Sequence, residues 1–187
     1  MNHTPQIKRA IQFAARKHHG QLRREAEPLP YVTHLFSTAL LVAEDGSSDD
    51  VVCAALLHDT IEDTGTTPDE LAYAFTDYVA QLALHVTEDR TLPWKERKQK
   101  YLDHLETAPL DAVRIATADK IDNIESKLEA YAREGDALLA RWARPVEEYL
   151  WYHGEALRIA KRRLPEHRLT KRLAEAHARE REIFGKE

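Results

Sequence analysis

The sequence predicts an all-α fold: a single helical domain spanning 1–187, with about eight or nine helices. Three observations predict it. Prolines stand where apolar residues begin to recur every 3.6 positions, no segment alternates as a strand does, and 43% hydrophobic residues accompany 32% charged ones. A proline at the first helical position forfeits no hydrogen bond, because that N–H has no intrahelical partner. Such a composition suits helices that bury one stripe and solvate the other.

Thr4-Pro5 opens a first helix to about His18, with Ile7, Ala10, Ile11 and Ala14 on one stripe and Gly20 beyond its end. Gln21 to Tyr31 is basic and then proline-bearing, a loop leading into a second helix from about Val32 to Glu44. Ser47 to Asp50 supplies capping residues before VVCAALLHDTIED, read as one apolar helix ending in charge. Thr67-Pro68-Asp69-Glu70 starts another, to about Val86. Further helices are expected at about 93–106, 109–131, 136–143 and 145–163. A charged C-terminal helix from about 166 carries the thin apolar seam Leu169, Leu173 and Ala176, which suits packing on the domain or on a partner subunit.

Net charge of −5 and a pI near 6.1 provide no global attraction to nucleic acid or to an anionic membrane, so neither is an expected partner. One cysteine, Cys53, excludes an intrachain disulfide and a multi-cysteine zinc site. The N-terminal stretch lacks an apolar signal core, and no apolar run reaches the roughly 20 residues of a membrane span. The expectation is a cytoplasmic protein. Ten histidines beside one cysteine and one methionine direct any metal chemistry to imidazole and carboxylate.

In AALLHDTIEDT an otherwise apolar helix presents His58, Asp59, Glu62 and Asp63 within two turns. Helical spacing puts His58 above Glu62 and Asp59 above Asp63. Acidic groups at a helix C-terminus oppose the macrodipole unless a cation compensates. His34, after an extended PYVT segment, and Asp119, in RIATADKIDN, add one imidazole and one carboxylate. Together His34, His58, Asp59 and Asp119 can fill four positions around an octahedral divalent ion and balance its charge.

The stretches HHGQLRR with PYVTH, AALLHDTIEDTGTT, VTEDRTLPWKERKQ, ATADKIDNIES and EEYLWYHGEAL follow one another from about Phe13 to Arg162. In this order they resemble the hydrolase domain of RelA/SpoT homologues, small alarmone hydrolases of the HD superfamily. The resemblance implies a metal-dependent (p)ppGpp 3′-pyrophosphohydrolase that releases pyrophosphate and GDP or GTP. It implies His34, His58, Asp59 and Asp119 as ligands of Mn²⁺, Glu62 and Asp63 as the catalytic acidic pair, and Arg23, Arg24 and Asn123 as contacts to a small-molecule nucleotide substrate. Guanidinium groups suit phosphate, which they bind bidentately. Arg97 and Lys98 are weaker phosphate candidates, and Tyr149, Trp151 and Tyr152 are read as core. Two departures fall near the substrate side: REAEPLPYVT lacks the pattern's glycine and is longer, and Leu35 replaces the proline after the histidine. The same metal set would also serve another HD-type phosphohydrolase or a non-catalytic alarmone sensor. No nucleotide-synthetase pattern follows, so a stand-alone hydrolase is expected, its oligomeric state open.

Overall fold

The computed structural model describes residues 4–23 and 28–185. Among them are ten α-helices, two short 3-10 turns and one isolated antiparallel bridge, Leu22 with Pro30, so the all-α fold class holds. The helices are α1 (Pro5–Lys17), α2 (Val32–Glu44), α3 (Asp49–Leu57), α4 (Thr60–Thr64), α5 (Pro68–Ala74), α6 (Asp77–His85), α7 (Trp94–Leu105), α8 (Leu110–Glu134), α9 (Val146–Arg163) and α10 (Arg168–Phe184). No helix among the described residues is long and apolar enough to cross a membrane.

Local chemistry starts several of these helices as expected. The Thr4 hydroxyl accepts the Ile7 N–H, and the Thr67 hydroxyl accepts that of Glu70, each followed by proline. Pro93, Pro109 and Pro145 stand immediately before α7, α8 and α9.

Three expected helices are divided. Across 50–63 the chain turns at His58 and Asp59, because side chains take carbonyls that a continuous helix would pair with backbone N–H groups. His58 Nδ1 donates to Ala55 O at 2.8 Å, and Thr60 Oγ1 donates to Leu57 O at 2.6 Å. Glu62 and Asp63 consequently lie in the first turn of α4, where the helix dipole favours acidic groups, and not at the C-terminal end of α3. Across 67–86 a second cap, Thr76 accepting from Val79 N, starts α6 after Phe75 leaves helical geometry. In place of the helix expected at 136–143 stand two 3-10 turns, Gly135–Ala137 and Leu139–Arg141, and the φ of 60° at Gly135 ends α8.

Helix α3 is the centre. Every residue from Val51 to Leu57 is buried, with α1, α2, α6 and α8 packed around it. A helix apolar on all sides has no solvent face to keep, which places its C-terminal end inside the protein. Helix α2 packs on both α3 and α8, so α2, the end of α3 and the middle of α8 converge. The charged α10 packs on α8 and α9, burying Leu169, Leu173, Ala176 and Phe184.

Candidate metal centre and active site

The three elements bring together four residues separated by up to 85 positions in the chain. His34 sits in the first turn of α2, which has already begun at Val32, so it does not follow an extended segment as the sequence suggested. Its Nε2 lies 3.1 Å from Asp119 Oδ1 on α8 and 3.6 Å from Asp59 Oδ2. His58 Nε2 lies 3.2 Å from Asp59 Oδ2 and 3.8 Å from Asp119 Oδ1. Ligand atoms of His34, His58 and Asp59 all fall within 4.8 Å of one another, and Asp119 Oδ1 reaches both imidazoles.

Both imidazoles are oriented through Nδ1. His58 Nδ1 faces Ala55 O, which can only accept, and His34 Nδ1 faces Asp122 Oδ2 at 2.6 Å. Each Nδ1 therefore carries the proton when the ring is neutral, leaving the Nε2 lone pair for a ligand. His58 Nε2 is buried without a hydrogen-bond partner. An orphaned imidazole nitrogen aimed at two carboxylates fits a divalent cation.

The electrostatics say the same. Burial disfavours a charged imidazole, yet hydrogen bonds to Asp119 and Asp122 push His34 up to about 9, and facing Asp59 raises His58. Burial would raise Asp59 and Asp119, but the imidazoles hold Asp59 below the usual carboxylate range, and Lys120 and His34 do so for Asp119. The cluster thus carries negative charge that demands a positive counterpart, either protons on the imidazoles or a cation between them.

Glu62 and Asp63 flank this centre. Glu62 accepts from Glu88 N at 2.9 Å and Arg90 Nε at 2.7 Å, and Arg90 Nη2 also donates to Asp63. Burial raises both carboxyls despite Arg90, and the Asp59 charge adds to the effect on Asp63. Raised carboxyls are suited to proton transfer nearer neutral pH.

A cavity of about 500 Å³ opens beside the cluster, lined by Gln21, Arg23, Tyr31, His34, Asp63, Arg90 and Asn123 among others. Arg23 and Asn123, the expected substrate contacts, both line this cavity, and Asn123 also donates to Asp119 Oδ1 at 2.5 Å. Arg24 lies outside the described residues. Arg97 and Lys98 are instead drawn to Glu88, at 2.9 and 2.5 Å, and do not line this cavity. Tyr152 is buried with its hydroxyl donating to Glu88, while Tyr149 and Trp151 join the aromatic cluster around Trp94.

Sequence reasoning missed three residues. Tyr31 donates to Asp59 Oδ2 at 2.6 Å and is held protonated by burial and by that carboxylate. Arg90 bridges the acidic pair, and Asp122 holds His34. All three lie inside quoted motifs, but nothing in their spacing announces the contacts.

The HD domain family model matches residues 10–145, which contain every one of these site residues. The chain belongs to the HD domain family. It is similar to the guanosine-3′,5′-bis(diphosphate) 3′-pyrophosphohydrolase MESH1 of Xenopus tropicalis, 36% identical over 155 residues that cover 81% of this chain and 83% of that protein. The Homo sapiens protein of the same name is 40% identical over 121 residues, covering 64% of this chain and 68% of the relative. Among solved structures, a metazoan ortholog of SpoT that hydrolyses ppGpp superposes with a TM-score of 0.79 at 24% identity, over 96% of this chain and 97% of that one. That superposition extends the shared fold through α9 and α10, beyond the HD-domain match.

Proposed function

We propose that this chain is a metal-dependent (p)ppGpp 3′-pyrophosphohydrolase, folded as one HD-type domain over 1–187, with Mn²⁺ as its metal. The observation that carries this reading is the unpartnered, buried Nε2 of His58 facing His34, Asp59 and Asp119 beside a cavity with arginine on its wall. The names of the similar proteins support the substrate.

His34, His58, Asp59 and Asp119 would hold the metal. When bound, a divalent ion there supplies Lewis acidity, drawing charge from a phosphoryl oxygen and making water a stronger nucleophile. The remaining chemistry falls to side chains. Water attacks the phosphorus attached to O3′, the P–O3′ bond breaks, the water gives up a proton and O3′ gains one. Glu62 and Asp63, with raised carboxyls next to the cluster, form the pair able to accept the first proton and deliver the second. Arg90 holds that pair in place. Arg23 on the cavity wall supplies a guanidinium for the phosphate chain, with Arg24 as its neighbour in sequence, and Asn123 orients Asp119 while offering an amide to the ligand.

The test is hydrolysis of ppGpp by purified protein with Mn²⁺ and after chelation, following GDP and pyrophosphate. Metal-dependent release of pyrophosphate is expected. Folded, metal-loaded protein that releases none would overturn the substrate, and failure to bind metal would overturn the reading altogether.

A further inference from the structure

The side of His34 that faces away from the proposed metal carries an arrangement the mechanism has not used. Asp119 and Asp122 are three residues apart on α8 and so share a face. They contact opposite nitrogens of one imidazole: Asp119 Oδ1 faces His34 Nε2 at 3.1 Å, and Asp122 Oδ2 takes Nδ1 at 2.6 Å. The same Asp122 oxygen accepts from Arg23 Nη1 at 3.0 Å. Asp122 is only 7% exposed, so neither contact is diluted by solvent.

We infer that Asp122 is a positioning residue that joins the metal-holding imidazole of His34 to the phosphate-facing guanidinium of Arg23. The inference rests on the proposed metal centre and deepens it. One carboxylate does two things. Toward His34 it fixes the Nδ1–H tautomer and the ring's rotation, keeping the Nε2 lone pair on the metal side. Toward Arg23 it anchors one edge of a side chain that reaches the cavity wall from a loop, where the backbone clip Arg23 N to Leu29 O, at 2.9 Å, is the local support. A long, flexible arginine loses less entropy on binding phosphate when it is already held. Because one oxygen serves both donors, a change at Asp122 disturbs metal and phosphate binding together, whereas a change at Arg23 disturbs phosphate alone.

The experiment titrates Mn²⁺ and then, at saturating Mn²⁺, inorganic pyrophosphate into wild type, Asp122→Asn, Arg23→Ala and the double variant, with thermal unfolding measured alongside. Asp122→Asn keeps shape and removes charge. It is expected to weaken Mn²⁺ about 10- to 100-fold, the usual consequence of removing a metal histidine's outer partner. Arg23→Ala should leave Mn²⁺ affinity within about twofold and weaken pyrophosphate, and in that background Asp122→Asn should add little further loss of pyrophosphate. Wild-type Mn²⁺ affinity in Asp122→Asn, or an undiminished pyrophosphate effect in the Arg23→Ala background, would overturn the inference. A merely structural carboxylate would lower the melting temperature and move neither constant selectively. Should Asp122→Asn not fold, imidazole ¹⁵N spectra of wild type loaded with diamagnetic Zn²⁺ decide: His34 protonated at Nδ1 supports the inference, and protonated at Nε2 sinks it. Neither titration needs ppGpp, so wild type that binds Mn²⁺ and pyrophosphate without hydrolysing ppGpp would fault the substrate and leave Asp122 tested.

Discussion

Among the described residues lie two buried histidine–carboxylate clusters, and they are built to opposite ends. One gathers His34, His58, Asp59 and Asp119 where α2, α3 and α8 meet. The other joins His153 on α9 to Glu180 and His177 on α10. In the second, Glu180 accepts from His153 Nδ1 at 2.7 and 2.9 Å and from His177 Nδ1 at 3.0 Å, and the carboxylate is 1% exposed. Two donors meet one acceptor group and the set is satisfied within itself. In the first, the carboxylates take donors from Tyr31, Lys120 and Asn123, the buried Nε2 of His58 has no hydrogen-bond partner, and a cavity opens alongside. Histidine and carboxylate in proximity thus do not define a metal site. Leftover lone pairs facing a cavity do, whereas a closed, saturated cluster fastens one helix to another.

The comparison is sharpened first by His58→Ala. Metal binding should be lost and kcat/KM should fall about 10³-fold, since several kcal/mol of charge stabilisation disappear, while the fold survives. Wild-type metal stoichiometry by elemental analysis would break the assignment of the open cluster. Next, Asp63→Asn should lower kcat about 10²- to 10³-fold with Mn²⁺ binding retained. Unchanged turnover would remove Asp63 from proton transfer.

Glu180→Gln should act in the other direction, costing about 2–3 kcal/mol of stability while leaving turnover by folded protein unchanged. Denaturant unfolding beside steady-state kinetics checks this, and a selective loss of activity would mean that the closed cluster is not merely structural.

The same closed cluster also has a pH dependence. Burial and the nearby Lys127 lower His153 to about 4, and hydrogen bonds from His153 and His177 outweigh burial to lower Glu180 to about 2. Both groups take up protons more readily unfolded than folded. Stability is therefore complete above the unfolded histidine value near 6.5, declines as pH falls toward 4 through His153, and declines further from about 4.5 toward 2 through Glu180. The melting temperature of wild type should fall across this window, and Glu180→Gln should flatten its lower part. A melting temperature constant from pH 7 to 4 would break the account.

Much of the fold was legible in the sequence. Proline and threonine at helix starts act on N–H groups two or three residues away, so Thr4-Pro5 and Thr67-Pro68 disclose their helices locally. His58-Asp59 was legible because four polar groups at the end of an apolar run are expensive unless used. The division of α3 from α4 was not, since it depends on two side chains winning carbonyls from a helix whose periodicity continues unbroken through Asp63. The closed cluster was equally hidden: His153 and Glu180 belong to two amphipathic helices, and neither residue stands out from its charged neighbours.

By itself the sequence determined the all-α class and most helix starts, and it singled out side chains whose chemistry suits a metal and proton transfer. Those properties depend on interactions within a turn or two, or on side-chain chemistry that no fold can alter. Only the tertiary structure decided that Asp122 holds His34 across 88 residues of chain, that Arg90 bridges Glu62 and Asp63, and that Glu88 draws Arg97 and Lys98 away from the cavity. Such pairings are set by how α2, α3 and α8 cross and where loops return, and a one-dimensional pattern with a period of 3.6 carries no record of which distant face it will meet.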